Sequence, residues 1–330
     1  MNISLKVAIT SSKIISMNHL DKVAVCSRSF SNNSTLRDEL LSRYKNVTFN
    51  DSGETLAGDE LITFLSGHSK AIIGLEKINE AVLSKLPDLQ VIGKYGVGLD
   101  MIDLQAMHRY GKRLGWSGGV NRRSVSELVI AFAVAILRHF KVAQSEVMSG
   151  IWRQHVGSIL SGRTIGIVGC GFIGKDLIEL LKPWGCIILV NDILDFPDFY
   201  QKYSVLPLEL DELLERADVV TLHVPLNAST RNMLSAEKLS LMKSSAVLIN
   251  AARGGLVDEV ALKLMLMEGK LAAAAFDVFL VEPPADLELL NLPNFFVTPH
   301  IGGSAKEVIL AMGRSAINGL EINSVPDVLI

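Results

Sequence analysis

From residue 22 onward, short apolar runs alternate with longer amphipathic stretches. "KVAVCS" reads as a strand and "STLRDELLSRY" as a helix, and "NVTF", "DELITFLSG", "KAIIGLE", "INEAVLSKL" and "LQVIGKYG" continue the alternation. Repeated strand-helix-strand units predict a parallel sheet covered by helices. A second array starts near residue 163 with "TIGIVG", "KDLIELLKPW", "IILVND", "LDELLERA" and "VVTLHVP", and runs on through "AVLINAA", "DEVALKLMLMEG", "AAAFDVF" and "FFVTPH". Its apolar runs are unbroken, the pattern of strands buried on both faces.

Between the arrays, "SVSE" at 124–127 has the form of a capping box, and Val125, Leu128, Val129, Phe132, Ile136 and Leu137 recur at helical spacing. A long connecting helix is expected over 124–140. The tail "AKEVILAMGRSAINGLEI" reads as a helix that adds no strand, and it could pack back on the first array, which would make that domain discontinuous.

Two arrays agree with the two domains expected of 330 residues. With 49% apolar residues the composition is that of a globular protein. A net charge of -3, with no basic block longer than Arg122-Arg123, offers nucleic acid nothing to bind. Cys26, Cys170 and Cys186 are odd in number and far apart, without CxxC or zinc-type Cys/His spacing, so no metal site is expected and a reducing, cytoplasmic compartment fits. Lys6 and Lys13 interrupt any N-terminal apolar region, and "AFAVAIL" and "LAAAAFDVFLV" fall short of the about 20 residues needed to span a bilayer. Neither export signal nor membrane anchor is expected.

Chemistry enters at "TIGIVGCGFIG", where Gly169, Gly171 and Gly174 form G-x-G-x-x-G directly after a strand and at the start of a helix. Glycines here permit the tight turn, the backbone approach to pyrophosphate and the close packing of helix on strand. The helix N-terminus then offers backbone N–H groups, from Phe172 and Ile173 among others, to phosphate oxygens. The next strand ends at Asp192, eighteen residues beyond Gly174, where an acid suits the ribose hydroxyls of NAD. No Arg or Lys follows in "NDILDFPDF", which favours NAD over NADP. "GKYGVGLD" lacks the third glycine; the amides of Gly96, Val97 and Gly98 suit an anion-holding nest instead.

Three more residues stand at strand ends of the second array: Arg253 after "VLINAA", Glu282 after "FDVFLV" and His300 after "FFVTP". Open α/β sheets bind ligands at such ends. Hydride exchange at a hydroxyl-bearing carbon needs a proton carrier, a cation for carboxylate or carbonyl, and orientation. A histidine such as His300 can both donate and accept a proton, Glu282 nearby would favour its charged form, and Arg253 offers a planar fork that matches a carboxylate. Each has a bland reading on its own: a cap for Arg253, a solvated loop acid for Glu282, a structural ring for His300. His223 in "LHVP" also closes a strand, and spacing does not choose between the two histidines.

Taken together, "KYGVGLDMIDL", "NRRSVSELVIA", "GIVGCGFIG" with Asp192, "LHVPLNAST", "INAARGGLVDE", "AFDVFLVEP" and "TPHIGG" resemble, in order, the D-isomer-specific 2-hydroxyacid dehydrogenase family. That resemblance implies two doubly wound parallel-sheet α/β domains: a flavodoxin-like substrate domain (1–119 and 301–330) and an inserted NAD-binding Rossmann domain (120–300). It implies Arg253 as the substrate-orienting cation, His300 as acid/base and Glu282 as its partner, with Gly96, Val97 and Gly98 on the substrate carboxylate. Asp277 would hold the nicotinamide carboxamide, Val224, Thr230, Ala251 and Gly302 would line the cofactor, and His223 becomes structural. A homodimer and a small 2-hydroxy or 2-oxo acid substrate are also implied. Formate or phosphite oxidation, and NAD-sensing corepression, are the rival activities within the same resemblance. "LAAAAFDV" and "GGSAKE" depart from the family's usual glycine and threonine, and Trp116 and Arg122 stand where many members carry small residues, shaping either the substrate end or a dimer.

Overall fold

The computed structural model describes residues 19–327, so the N-terminal segment carrying Lys6 and Lys13, and the last three residues of the expected substrate domain, lie outside the described residues. The chain divides into two compact units, one ending at Ser117 and resuming at Leu310, the other running from Gly118 to Ile309. The expected doubly wound α/β class, with one unit inserted into the other, is what the strands build.

In the first unit β1 (His19–Val25), β2 (Tyr44–Phe49), β3 (Lys70–Ile73), β4 (Val91–Lys94) and β5 (Arg113–Gly115) form a parallel sheet in the flavodoxin-like order β2-β1-β3-β4-β5. Strand residues alternate between two cores: Ala24, Ala71, Ile73 and Ile92 on one face, Val23, Val25, Ile72 and Val91 on the other. The second core is closed by Ala316, Ile317 and Leu320, so the C-terminal helix Lys306–Gly319 does pack back on this sheet. Gly93 and Gly115 make that approach possible: a Cβ on Gly93 would lie 2.5 Å from the Ala316 carbonyl oxygen, and one on Gly115 would collide with Gly319.

The second unit has seven parallel strands: β6 (Thr164–Val168), β7 (Ile187–Asn191), β8 (Leu206–Pro207), β9 (Val219–Leu222), β10 (Val247–Asn250), β11 (Ala273–Phe276) and β12 (Phe295–Val297). Their order, β12-β11-β10-β9-β6-β7-β8, is that of a Rossmann fold extended by one strand. As the unbroken apolar runs predict, β9, β10 and β11 are buried throughout, with Val220, Leu248 and Ala274 in one core and Val219, Ile249 and Ala275 in the other. The chain reverses direction of winding between β6 and β9, where such sheets open a ligand crevice.

The connecting helix differs from expectation. It runs Arg122–Leu137, with Asn121 at its N-cap, so Ser124 lies inside the first turn and the "SVSE" box caps nothing. The start is moved upstream by Asp176, 5% exposed on the neighbouring helix, which takes a two-pronged ion pair from Arg123 Nε and Nη2 (3.0 Å each). At the other end His139, at φ +54°, breaks the helix, and a separate one follows over Phe140–Met148.

Candidate active site

The glycine loop follows β6 as the sequence requires. Gly169 has φ +101°, and a Cβ there would lie 2.6 Å from the His223 carbonyl oxygen; one on Gly174 would collide with the Gly169 carbonyl. Gly171 faces open space and N-caps the helix Phe172–Leu181 without any side-chain cap. The first intrahelical bond there comes from Lys175 N to Gly171 O at 3.0 Å, which leaves the amides of Phe172, Ile173 and Gly174 for a ligand. Asp192 closes the loop from the side: Oδ2 accepts from Cys170 N at 2.5 Å and Oδ1 from Leu194 N at 2.8 Å. A cavity of about 470 Å³ beside it is lined by Asp192, Asp195, Glu209 and Glu212. Val224 sits against Gly169, and Thr230 Oγ1 donates to Pro225 O at 2.7 Å, shaping the loop after β9.

Arg253, Glu282 and His300 follow three consecutive, mutually paired strands, β10, β11 and β12. The loop carrying Arg253 is clamped by Asn250, fully buried, whose Oδ1 accepts from Ala252 N (3.1 Å) and whose Nδ2 donates to Arg253 O (2.9 Å). Ala251, 8% exposed, directly follows β10, and Gly254 lets the next residues cross the backbone of Phe279 and Leu280, where a Cβ would collide. His300 Nδ1 donates to Glu282 Oε2 at 2.9 Å, and Glu282 Oε1 accepts from Phe279 N at 3.1 Å. Both side chains are about half exposed, 52% and 41%. A cavity of about 340 Å³ adjoins the pair, bordered by Phe279, Pro284, Leu290 and Pro299.

What aims His300 is Asp277, which is 1% exposed. Its Oδ1 accepts from Thr298 Oγ1 (2.5 Å) and Ile301 N (2.7 Å), its Oδ2 from Gly302 N (2.8 Å), and its backbone carbonyl from His300 N (2.9 Å). His300 itself has φ +54°, a left-handed conformation uncommon outside glycine but more accessible to His than to most residues. His223 behaves differently. Its Nε2 shares a 3.0 Å bond with Thr221 Oγ1, its Nδ1 has no partner among the described residues, and burial holds the ring down at about 3, so it is neutral and moves no protons near neutrality. Asn250 and Thr298 escaped sequence reading, because their roles lie in bonds to the Arg253 loop and to Asp277 that only the fold brings together.

In the first unit, Gly96 has φ +115°, which only glycine adopts without strain, and Gly96, Val97 and Gly98 are half buried. No acceptor among the described residues is bonded to their amides.

A family profile, D-isomer specific 2-hydroxyacid dehydrogenase, NAD binding domain, matches residues 130–302. The glycerate dehydrogenase of Methylorubrum extorquens is 34% identical over 278 residues, 81% of this chain and 86% of that protein. This chain belongs to the D-isomer specific 2-hydroxyacid dehydrogenase family. A D-3-phosphoglycerate dehydrogenase of Methanocaldococcus jannaschii is 39% identical over 240 residues, 72% of this chain but 46% of that protein. The chain thus spans about half the length of the phosphoglycerate dehydrogenases it matches. A solved D-lactate dehydrogenase from Aquifex aeolicus, complexed with NAD and lactic acid, superposes with a TM-score of 0.79 at 25% identity over 90% of this chain and 93% of that one. The family relation accords with the sequence reading of the Rossmann unit as an NAD-binding domain.

Proposed function

We propose that this family member is an NAD-dependent oxidoreductase that interconverts a D-2-hydroxy acid and its 2-oxo acid. The observation that carries the reading is the His300–Glu282 pair, on the same strand-end edge as the glycine loop and Arg253. Bound nicotinamide supplies or accepts the hydride. With Nδ1 engaged by Glu282, His300 keeps Nε2 to carry the proton of the substrate hydroxyl, and Glu282 stabilises the charged ring. Arg253 orients the substrate carboxylate and carbonyl. In the first unit, the amides of Gly96, Val97 and Gly98 hold the carboxylate.

The glycine loop, Asp192, Val224, Thr230, Ala251, Asp277 and Gly302 hold the cofactor. NAD is preferred over NADP because a 2′-phosphate beside Asp192 would meet Asp195, Glu209 and Glu212 with no compensating Arg. The expected result is NADH-dependent reduction of at least one member of a 2-oxo acid panel, at least tenfold faster than with NADPH at equal concentration. No activity on the panel, together with NADH formation from formate or phosphite, would replace this reading with oxidation of those anions.

We further propose a homodimer built on the second unit. Met148, Trp152 and Val156 are 80%, 86% and 95% exposed, and Phe140, Val147 and Ile159 extend this apolar arm beyond what single exposed residues explain. A second copy is the occupant that a symmetric oligomer supplies. Sedimentation should give a dimer for the wild type and a monomer for Trp152→Glu; a monomeric wild type at micromolar concentration sinks the proposal. Three free thiols fit a cytoplasmic location, and a disulfide in thiol-trapped protein from cells would count against it.

A further inference from the structure

Strands β4 and β5 pair in parallel, Gly93 opposite Gly115, so the segments that leave them run side by side. One segment is the Gly96–Gly98 turn and the other begins with Trp116. The indole Nε1–H of Trp116 donates to the Val97 carbonyl at 2.9 Å. On the other side Lys94, 4% exposed, donates from Nζ to Tyr95 O at 3.1 Å and Gly74 O at 2.5 Å, and a Cβ on Gly96 would lie 3.3 Å from that same nitrogen. The Tyr95 carbonyl leading into the turn and the Val97 carbonyl within it are therefore both taken by side-chain donors.

The consequence follows from peptide planarity. Within one peptide unit C=O and N–H point in opposite directions, so fixing the first fixes the second. Holding the Val97 carbonyl aims the Gly98 amide, and holding the Tyr95 carbonyl aims the Gly96 amide. Released, a glycine-flanked peptide turns at little cost, and either carbonyl could swing towards a bound anion and repel it.

We propose that Trp116 is a positioning residue for the substrate carboxylate, locking the Val97–Gly98 peptide so that the turn presents amides rather than carbonyls. The inference rests on the assignment of this turn to the carboxylate of a 2-oxo acid. Lys94 does the same for the Tyr95–Gly96 peptide at the start of the turn. Trp116 thus acts on the substrate end, through a hydrogen bond rather than by contact.

Trp116→Phe keeps an aromatic ring and removes only the donor. With the best 2-oxo acid of the panel, its KM should rise about 5- to 10-fold, the worth of one hydrogen bond. The inhibition constant of oxamate, a non-reducible carboxylate probe, should rise by the same factor, while kcat and the KM for NADH stay within about twofold. Trp116→Ala should raise both constants equally, however much it lowers the melting temperature, because the missing donor is the same. An unchanged KM and oxamate constant in Trp116→Phe, with an active wild type, overturns the role of Trp116 alone. A wild type that neither reduces any panel member nor binds oxamate overturns the dehydrogenase reading and this inference together.

Discussion

His300→Ala is expected to lower kcat by about two to four orders of magnitude, the usual worth of a positioned acid/base. The KM for NADH should stay within about twofold. His223, the nearest rival in sequence logic, does not take over, being neutral and bonded to Thr221. Because the His300 side chain is 52% exposed, small bases can reach the space it vacates, so added imidazole should restore part of the lost rate. Glu282→Gln should be milder, about 10- to 100-fold, since the ring stays in place but loses a charge-assisted bond that fixes its tautomer. Steady-state kinetics of the two variants, with and without imidazole, decide the matter. Wild-type turnover in His300→Ala would remove it as the proton carrier.

Much of this was legible in the chain because the physics is local. Strands buried on both faces are near-continuous apolar runs, and "VVTL", "AVLIN" and "AAAF" are apolar at all but Thr221 and Asn250. A turn that backbone must approach needs glycine, so Gly169 and Gly174 announce the nucleotide loop. Long-range polar contacts leave no such trace. The two-residue β8 and three-residue β5 are too short to show a period, and the true start of the connecting helix was decided by Asp176, 53 residues away from Arg123. The capping box was a sound local pattern overruled by an ion pair. Trp116 could be singled out as unusual, but its bond to Val97 depends on β4 lying beside β5, which no spacing reveals. The same holds for Asp277: one motif residue among several in sequence, it turns out to hold the loop that carries His300.

Asp277→Ala should therefore damage the protein more broadly than loss of one cofactor contact. Three donors converge on that carboxylate, Thr298 Oγ1 and the amides of Ile301 and Gly302, and the side chain is buried. Leaving the buried Gly302 amide unsatisfied costs about 1–3 kcal/mol, and loss of the part-buried Ile301 bond adds about 0.5–1.5 kcal/mol. For a unit of this size, at about 2–4 °C per kcal/mol, the melting temperature of the cofactor-free protein should fall by roughly 3–18 °C. Because the loop also carries His300, whose two following amides bond to that carboxylate, kcat should drop by about 100-fold or more. Asp277→Asn is the sharper probe, since its amide nitrogen must face a donor on one side while its carbonyl oxygen still accepts on the other. If Asp277 served the nicotinamide alone, either variant would weaken NADH binding and leave the cofactor-free melting temperature unchanged. A drop in that temperature together with kcat is the signature of a carboxylate that aims His300.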